Sequence, residues 1–158
     1  MMRHSPLEVL LWSIAFPGFG QLLNRQLVKG IFFIVLEVIV NLYSKFNTAI
    51  IYSFLGEIDK AIEVANFQWL MFYPCLYLFT IWDAYKDAHV AEPPKLSFLP
   101  FVFSAYFVTV GLICSTKVKL FGILFGPVWL PMLFVIPGLV IGFLLRAILL
   151  RVMAANSS

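Results

Sequence analysis

Four stretches of this chain carry no charged side chain: residues 9–24, 64–82, 96–116 and 120–145. Nothing else in the sequence limits the possible folds so much. A helix rises about 1.5 Å per residue and a bilayer core is about 30 Å thick, so about 20 apolar residues make one crossing. The last three stretches meet that length. A fifth hydrophobic stretch, 30–56, is interrupted by Glu37 and Lys45. Composition points the same way, with 62% hydrophobic and 12% charged residues, against roughly 25% charged in an average soluble domain. Eleven basic and eight acidic side chains are too few to cover the surface of a water-soluble domain of this length. The expected fold is all-α, a polytopic transmembrane helical bundle in one integral membrane domain. Four full spans are expected, plus a short or re-entrant N-terminal hydrophobic helix. The hydrophobic segments are placed near 6–23, 30–55, 64–82, 96–115 and 129–150.

The first segment is the irregular one. Ser5-Pro6 supplies an N-cap and a first-turn proline. Only about ten helical residues follow before Pro17, Gly18 and Gly20 disrupt the backbone. Ten residues rise about 15 Å, half a bilayer. Either the helix kinks at Pro17 and continues through Leu23, or it stops and the chain turns back. Arg3 and His4 ahead of the apolar run imitate a signal peptide, but Ala15 is followed by Phe16 and Pro17 rather than by a small-x-small cleavage site. An uncleaved segment is expected.

In the second segment Glu37, Asn41 and Lys45 follow i, i+4, i+8 spacing, which puts them on one helical stripe. A charge at the bilayer centre costs on the order of 3 kcal/mol, so Glu37 is expected to face protein and Lys45 to snorkel to the far headgroups. Residues 46–56 overrun the span, as tilt or an interfacial extension. The third helix carries Asn66, Phe67 and Trp69 at one interface and Trp82 and Tyr85 at the other, with a kink expected at Pro74. Pro93-Pro94 ends any continuation of it. Residues 120–127 are expected to form an interfacial or partly re-entrant lead-in to the last helix. Cys75 and Cys114 are expected to be buried small hydrophobes.

If the first segment re-enters, Arg3, Arg25, Lys29, Lys86, Lys95, Arg146 and Arg151 share one side, and Lys45, Lys60, Lys117 and Lys119 the other. If it spans, Arg3 changes sides. Both versions place loops 24–29 and 83–95 and the C-terminus in the cytoplasm of a plasma-membrane protein. The cluster Pro17, Gly18, Gly20, Gln21, Asn24, Arg25, Lys29 and Gly30 then meets Asp83 and Tyr85 at the same membrane face. A half-buried Asp83 needs a partner. Arg25, Lys29 or backbone N–H groups freed near Gly18 to Gln21 are the candidates.

Pro17-Gly18-Phe19-Gly20-Gln21, Asn24, Lys29-Gly30 and the distal Asp83-Ala84-Tyr85 resemble bacterial small multi-pass membrane proteins with a PGLGQ-x-YNG-x-x-x-KG signature. More distantly, they resemble the TM2-domain family. The resemblance covers about residues 5–90. The chain departs from it at Leu23, where Tyr is usual, and at Arg25, where Gly follows Asn; it also lacks the His-Arg-Phe-Tyr element of TM2 domains. The resemblance implies a bacterial membrane protein and brings no catalytic activity.

Functionally, the sequence points to a non-catalytic accessory or structural component of a membrane complex. Its expected partners are the lipid bilayer and other membrane proteins or further copies of itself, with no nucleic acid. A small oligomeric transporter or channel subunit using Glu37 and Asn41 is the alternative. Asp83 and Asp87 at i, i+4 could bind Mg²⁺ in a metal-dependent enzyme, but such sites use more acidic ligands. His4 and His89 make no metal-ligand spacing, so no metal or cofactor is expected.

Overall fold

A computed structural model describes residues 4–89 and 92–156. Arg3, the loop positions Val90 and Ala91, and the terminal Ser157 and Ser158 lie outside the described residues. The chain is mostly helical. Helix α1 (Pro6–Ala15) begins as its sequence dictates, with Ser5 Oγ accepting the Glu8 N–H at 3.1 Å. It ends where Phe16 turns extended ahead of Pro17. Gly18 then takes a left-handed conformation (φ +97°) that leads into the short α2 (Phe19–Leu23).

The direction of α2 settles whether the first segment kinks or turns back. A Cβ placed on Gly20 would lie 3.1 Å from the Val9 carbonyl oxygen and against Ser13 Oγ. In a continuous helix Val9 and Gly20 would be separated by about 16 Å of rise, and Ser13 and Gly20 by about 10 Å. The chain therefore folds back on itself. Helix α3 (Leu27–Ser44) leaves this hairpin and runs the length of the bundle.

The long second segment breaks at Lys45, which adopts a left-handed conformation (φ +56°) between α3 and α4 (Phe46–Phe54). The third segment divides into α5 (Ile58–Val64), α6 (Phe67–Leu70) and α7 (Tyr73–Asp87), with an 86° bend after α5. Pro74 does not kink a helix interior: it sits in the first turn of α7, where its missing N–H would be unpaired anyway. Helix α8 (Leu99–Cys114) and helix α9 (Gly126–Ala155) pair closely. Between them, the expected lead-in is a two-residue β-hairpin, β1 (Lys119–Leu120) with β2 (Ile123–Leu124). Helix α9 starts three residues earlier and ends five later than residues 129–150, and Pro131 and Pro137 lie within it.

Two helices, α3 and α9, are long and apolar enough to cross a membrane, or three crossings if the bent α5–α7 pair counts as one. At 16 residues, α8 is about 24 Å long, short of the about 30 Å of a bilayer core. The expected count of four full spans is therefore reduced to two or three by length and composition.

The two ends of the bundle are built differently. At the end holding Ser44, a small apolar cluster of Ala49, Ala65, Leu70 and Leu112 is flanked by Phe46, Phe67 and Tyr73. There the Asn66 N–H donates to the Ser44 carbonyl at 2.9 Å, and Trp129 Nε1 donates to the Ser53 carbonyl at 3.1 Å. The opposite end holds polar groups. The sides between them are apolar and open, with Val28, Leu42 and Phe54 all well exposed. Cys75 is exposed and Cys114 half-buried, both free, so neither is the buried hydrophobe expected.

Candidate functional site

The polar end forms where α2, the start of α3 and the end of α7 meet. Close approach is possible because of glycine: a Cβ on Gly20 would stand 2.7 Å from the Ala84 Cβ, and one on Gly30 2.6 Å from Leu22 Cδ2. Helix α1 also reaches α7, since the Tyr77 hydroxyl donates to the Ile14 carbonyl, and Gly20 of α2 is packed between Val9 and Ser13 of α1 and Ala84 of α7.

Asp83 is the centre of this site, only 3% exposed. Lys29 Nζ lies 2.7 Å from its carboxylate and 3.0 Å from Asp87 Oδ2. Gln21, fully buried, donates through Nε2 to the Thr80 carbonyl at 2.9 Å and to Asp83 Oδ2 at 3.1 Å. Because both of those partners are acceptors, the orientation of the Gln21 amide is determined. Asn24 donates to the Ala84 carbonyl at 2.8 Å, and Gln26 donates to Asp87 Oδ2 at 2.9 Å. Lys86 completes the set at 3.6 Å from Asp83 and 3.3 Å from Asp87. Two carboxylates face two ammonium groups, so the charges balance. A buried acid needs that balance, together with hydrogen bonds on its remaining lone pairs.

Of the partners anticipated for Asp83, the structure uses Lys29 and the Gln21 side chain in place of freed backbone N–H groups. Arg25 takes a left-handed conformation (φ +63°) at the surface between α2 and α3. Pro17 and Gly18 are buried in the turn. Tyr85 does not join the site: its ring stands edge-on to His89 at 4.7 Å and 6.4 Å from Phe101. Gln26 and Thr80 enter the site only through the packing of the helices. The spacing does contain a signal for two of the pairs, because Gln26 and Lys29 are i, i+3 apart and Asp83 and Asp87 are i, i+4 apart. Two matching polar faces were therefore legible once the helices were paired.

The second polar group is less coherent than a stripe. Glu37 is buried at 4% exposure, facing protein as expected, and pairs with the Tyr73 hydroxyl; its Oε2 has no hydrogen-bond partner among the described residues. Asn41 turns to Asn47, with Nδ2 3.1 Å from Asn47 Oδ1. Lys45 leaves the stripe altogether, because it forms the exposed left-handed turn.

Asp83 and Asp87 have lysine and amide partners on their oxygens, and no group of three or more His, Cys, Asp or Glu side chains gathers in a metal-holding arrangement among the described residues. The chemistry available here is fastening: charge-assisted hydrogen bonds that lock a hairpin, a helix start and a helix end together. The chain matches no protein-family model, no curated protein and no solved structure.

Proposed function

We propose that this chain is a non-catalytic, multi-pass component of a bacterial plasma membrane, serving as an accessory or structural part of a membrane complex. In this reading α1 and α2 enter and leave the bilayer from the cytoplasmic side. The Lys29–Asp83–Asp87 cluster pins them at that face, beside loops 24–29 and 83–95. One observation carries the reading: the acidic oxygens of the most polar site are taken up by the chain's own lysines and amides. Such a cluster holds a shape for something else to recognise. The resemblance to the PGLGQ-type small membrane proteins fits, since its matching residues fall in this cluster and in the turn that builds it.

The test is a charge exchange. Asp83→Lys is expected to lower folded, membrane-extracted protein severalfold, because removing one partner of a buried pair costs about 3–5 kcal/mol. Lys29→Asp added to it is expected to restore a substantial part. Size-exclusion profiles of mildly solubilised membranes should show the native chain in a larger assembly, lost in Asp83→Lys and regained in the exchange. A chain that stays monomeric, with no rescue, counts against the proposal.

The buried Glu37, with one oxygen unpaired, favours a second reading as a small oligomeric transporter or channel subunit. Glu37→Gln separates the two. As a carrier residue it would lose flux in proteoliposomes at unchanged expression. As a packing residue it would shift thermal stability or assembly and move no gradient.

A further inference from the structure

The face between α7 and α8 carries a groove of about 450 Å³, lined by Cys75, Phe79, Trp82, Val102, Ala105 and Tyr106. Its volume falls within the roughly 300–1,000 Å³ of small-ligand sites. The wall offers almost nothing polar to an occupant. Thr109, at the α8 side, spends its hydroxyl on the Ala105 carbonyl at 2.8 Å. Whatever lies there along most of its length is apolar.

One end of the groove is different. Trp82 closes it, donating through Nε1 to Ser97 Oγ at 3.3 Å, and Lys86 Nζ sits 4.9 Å from the Trp82 ring centre. Lys95, exposed, lies two residues before Ser97, hence within about 7 Å of it along the chain. Arg146 reaches the same loop from α9, with Nε donating to the Lys95 carbonyl at 3.0 Å. Lys86 thus borders the Trp82 end, and Arg146 is held on the backbone of the loop that runs from Lys95 to Ser97 just beyond it. Lys86 is only loosely held by Asp83 and Asp87, at 3.6 and 3.3 Å, compared with 2.7 and 3.0 Å for Lys29. It can turn to a further anion. An apolar trough with a tryptophan and basic residues at one end is complementary to a single-headed anionic amphiphile.

We propose that the α7–α8 groove binds one anionic phospholipid, an acyl chain lying along Phe79 and Ala105 and the phosphate resting among Lys86, Lys95 and Arg146. This rests on the membrane reading above and adds a specific lipid class to it. The ligand is the intact lipid, because the trough and the basic end contribute together.

Native mass spectrometry of the full chain in a neutral detergent, titrated with phosphatidylglycerol or phosphatidylcholine, tests it. Phosphatidylglycerol is expected to bind at one site about tenfold more tightly than phosphatidylcholine. Lys95→Gln with Arg146→Gln is expected to erase that preference, each basic group near a headgroup being worth about fivefold. Lys86 is left in place, since it also serves the ion cluster. Ala105→Trp, which fills the trough, is expected to lower binding of both lipids. Lys95→Glu alone, at an exposed loop position, gives the charge arm independently of any effect of Arg146 on folding. Equal affinity for the two lipids overturns the proposal. So does undiminished binding in Ala105→Trp, or displacement of the lipid by glycerol 3-phosphate alone. Failure of the membrane reading looks different: the chain would then be released from membranes by alkaline wash.

Discussion

Gly18 and Gly56 both hold positive φ, at +97° and +78°, yet their surroundings are opposite. A Cβ on Gly18 would stand 2.6 Å from Ile34 Cγ1 and 2.8 Å from the Gly30 carbonyl oxygen, whereas one on Gly56 meets nothing within 4 Å. Left-handed strain for an L-residue is roughly 1–2 kcal/mol, and overpacking adds about 1–3 kcal/mol. Gly56→Ala is therefore expected to lower stability by about 1 kcal/mol and Gly18→Ala by about 2–5 kcal/mol. Thermal melts of the two purified variants check the ordering, and equal losses would remove the packing role assigned to Gly18. At this scale the Pro17-Gly18-Phe19-Gly20 run was legible as a break. Which alternative it served was not, because proline and glycine residue types suit a kink or a reversal alike. Only the neighbours Ile34, Val9 and Ser13 decide between them.

Among the helices, α8 and α9 make the tightest pair. Gly138 and Gly142 form a small-xxx-small face on α9; a Cβ on Gly138 would lie 2.6 Å from Ser104 Cα, and one on Gly142 would meet Pro100. Helix pairing in lipid depends on such close backbone approach, since no hydrophobic drive separates helix from solvent there. Gly142→Leu is expected to separate the pair. Thermal melts of the detergent-solubilised protein check this: Gly142→Leu is expected to lower the midpoint by several degrees, whereas Val140→Leu, at an exposed position on the same helix, leaves it nearly unchanged. Equal midpoints would show that the glycine seam does not hold the pair. This face is present in the sequence, but it lies in an apolar run where no polar contrast marks which side of the helix meets a partner. The helix ends were harder still. Lys45 and Phe121 take left-handed conformations (φ +56° and +53°), which residue type disfavours, so the break after Ser44 had no local signal and only Gly122 (φ +80°) marked the turn of the hairpin at 119–124.

The whole molecule exposes 9780 Å², whereas a compact soluble protein of its mass exposes about 8,000 Å². Many large apolar side chains on the helices are among the exposed ones, such as Leu7, Val28 and Phe54. If the proposed membrane reading holds, the hairpin of α1 and α2 predicts that Ser5 and Gln26 lie on one side of the membrane, and Glu57 and Gly122 on the other. Single cysteines at these positions, in a background with Cys75 and Cys114 replaced by Ala, check this with an impermeant maleimide. Ser5 and Gln26 are expected to label together from the cytoplasmic side only. Opposite-side labelling of those two would replace the hairpin with a full first span.

Solvent preference belongs to composition. Long charge-free runs must be covered by apolar surroundings, so a mostly helical body with helices long and apolar enough to cross a membrane followed from the chain alone. The break at Pro17 to Gly20, the N-cap at Ser5 and the protein-facing Glu37 followed too, because each is set by local geometry or by the cost of a bare charge in lipid. Span lengths, the reversal of α2 and the identity of the partner of Asp83 did not. Those depend on contacts between residues 54 to 62 positions apart, such as Lys29 with Asp83 and Gln21 with Asp83. Local spacing ranks several candidates for such a contact equally, and only the packing of α2 and α3 on α7 places one of them within bonding distance.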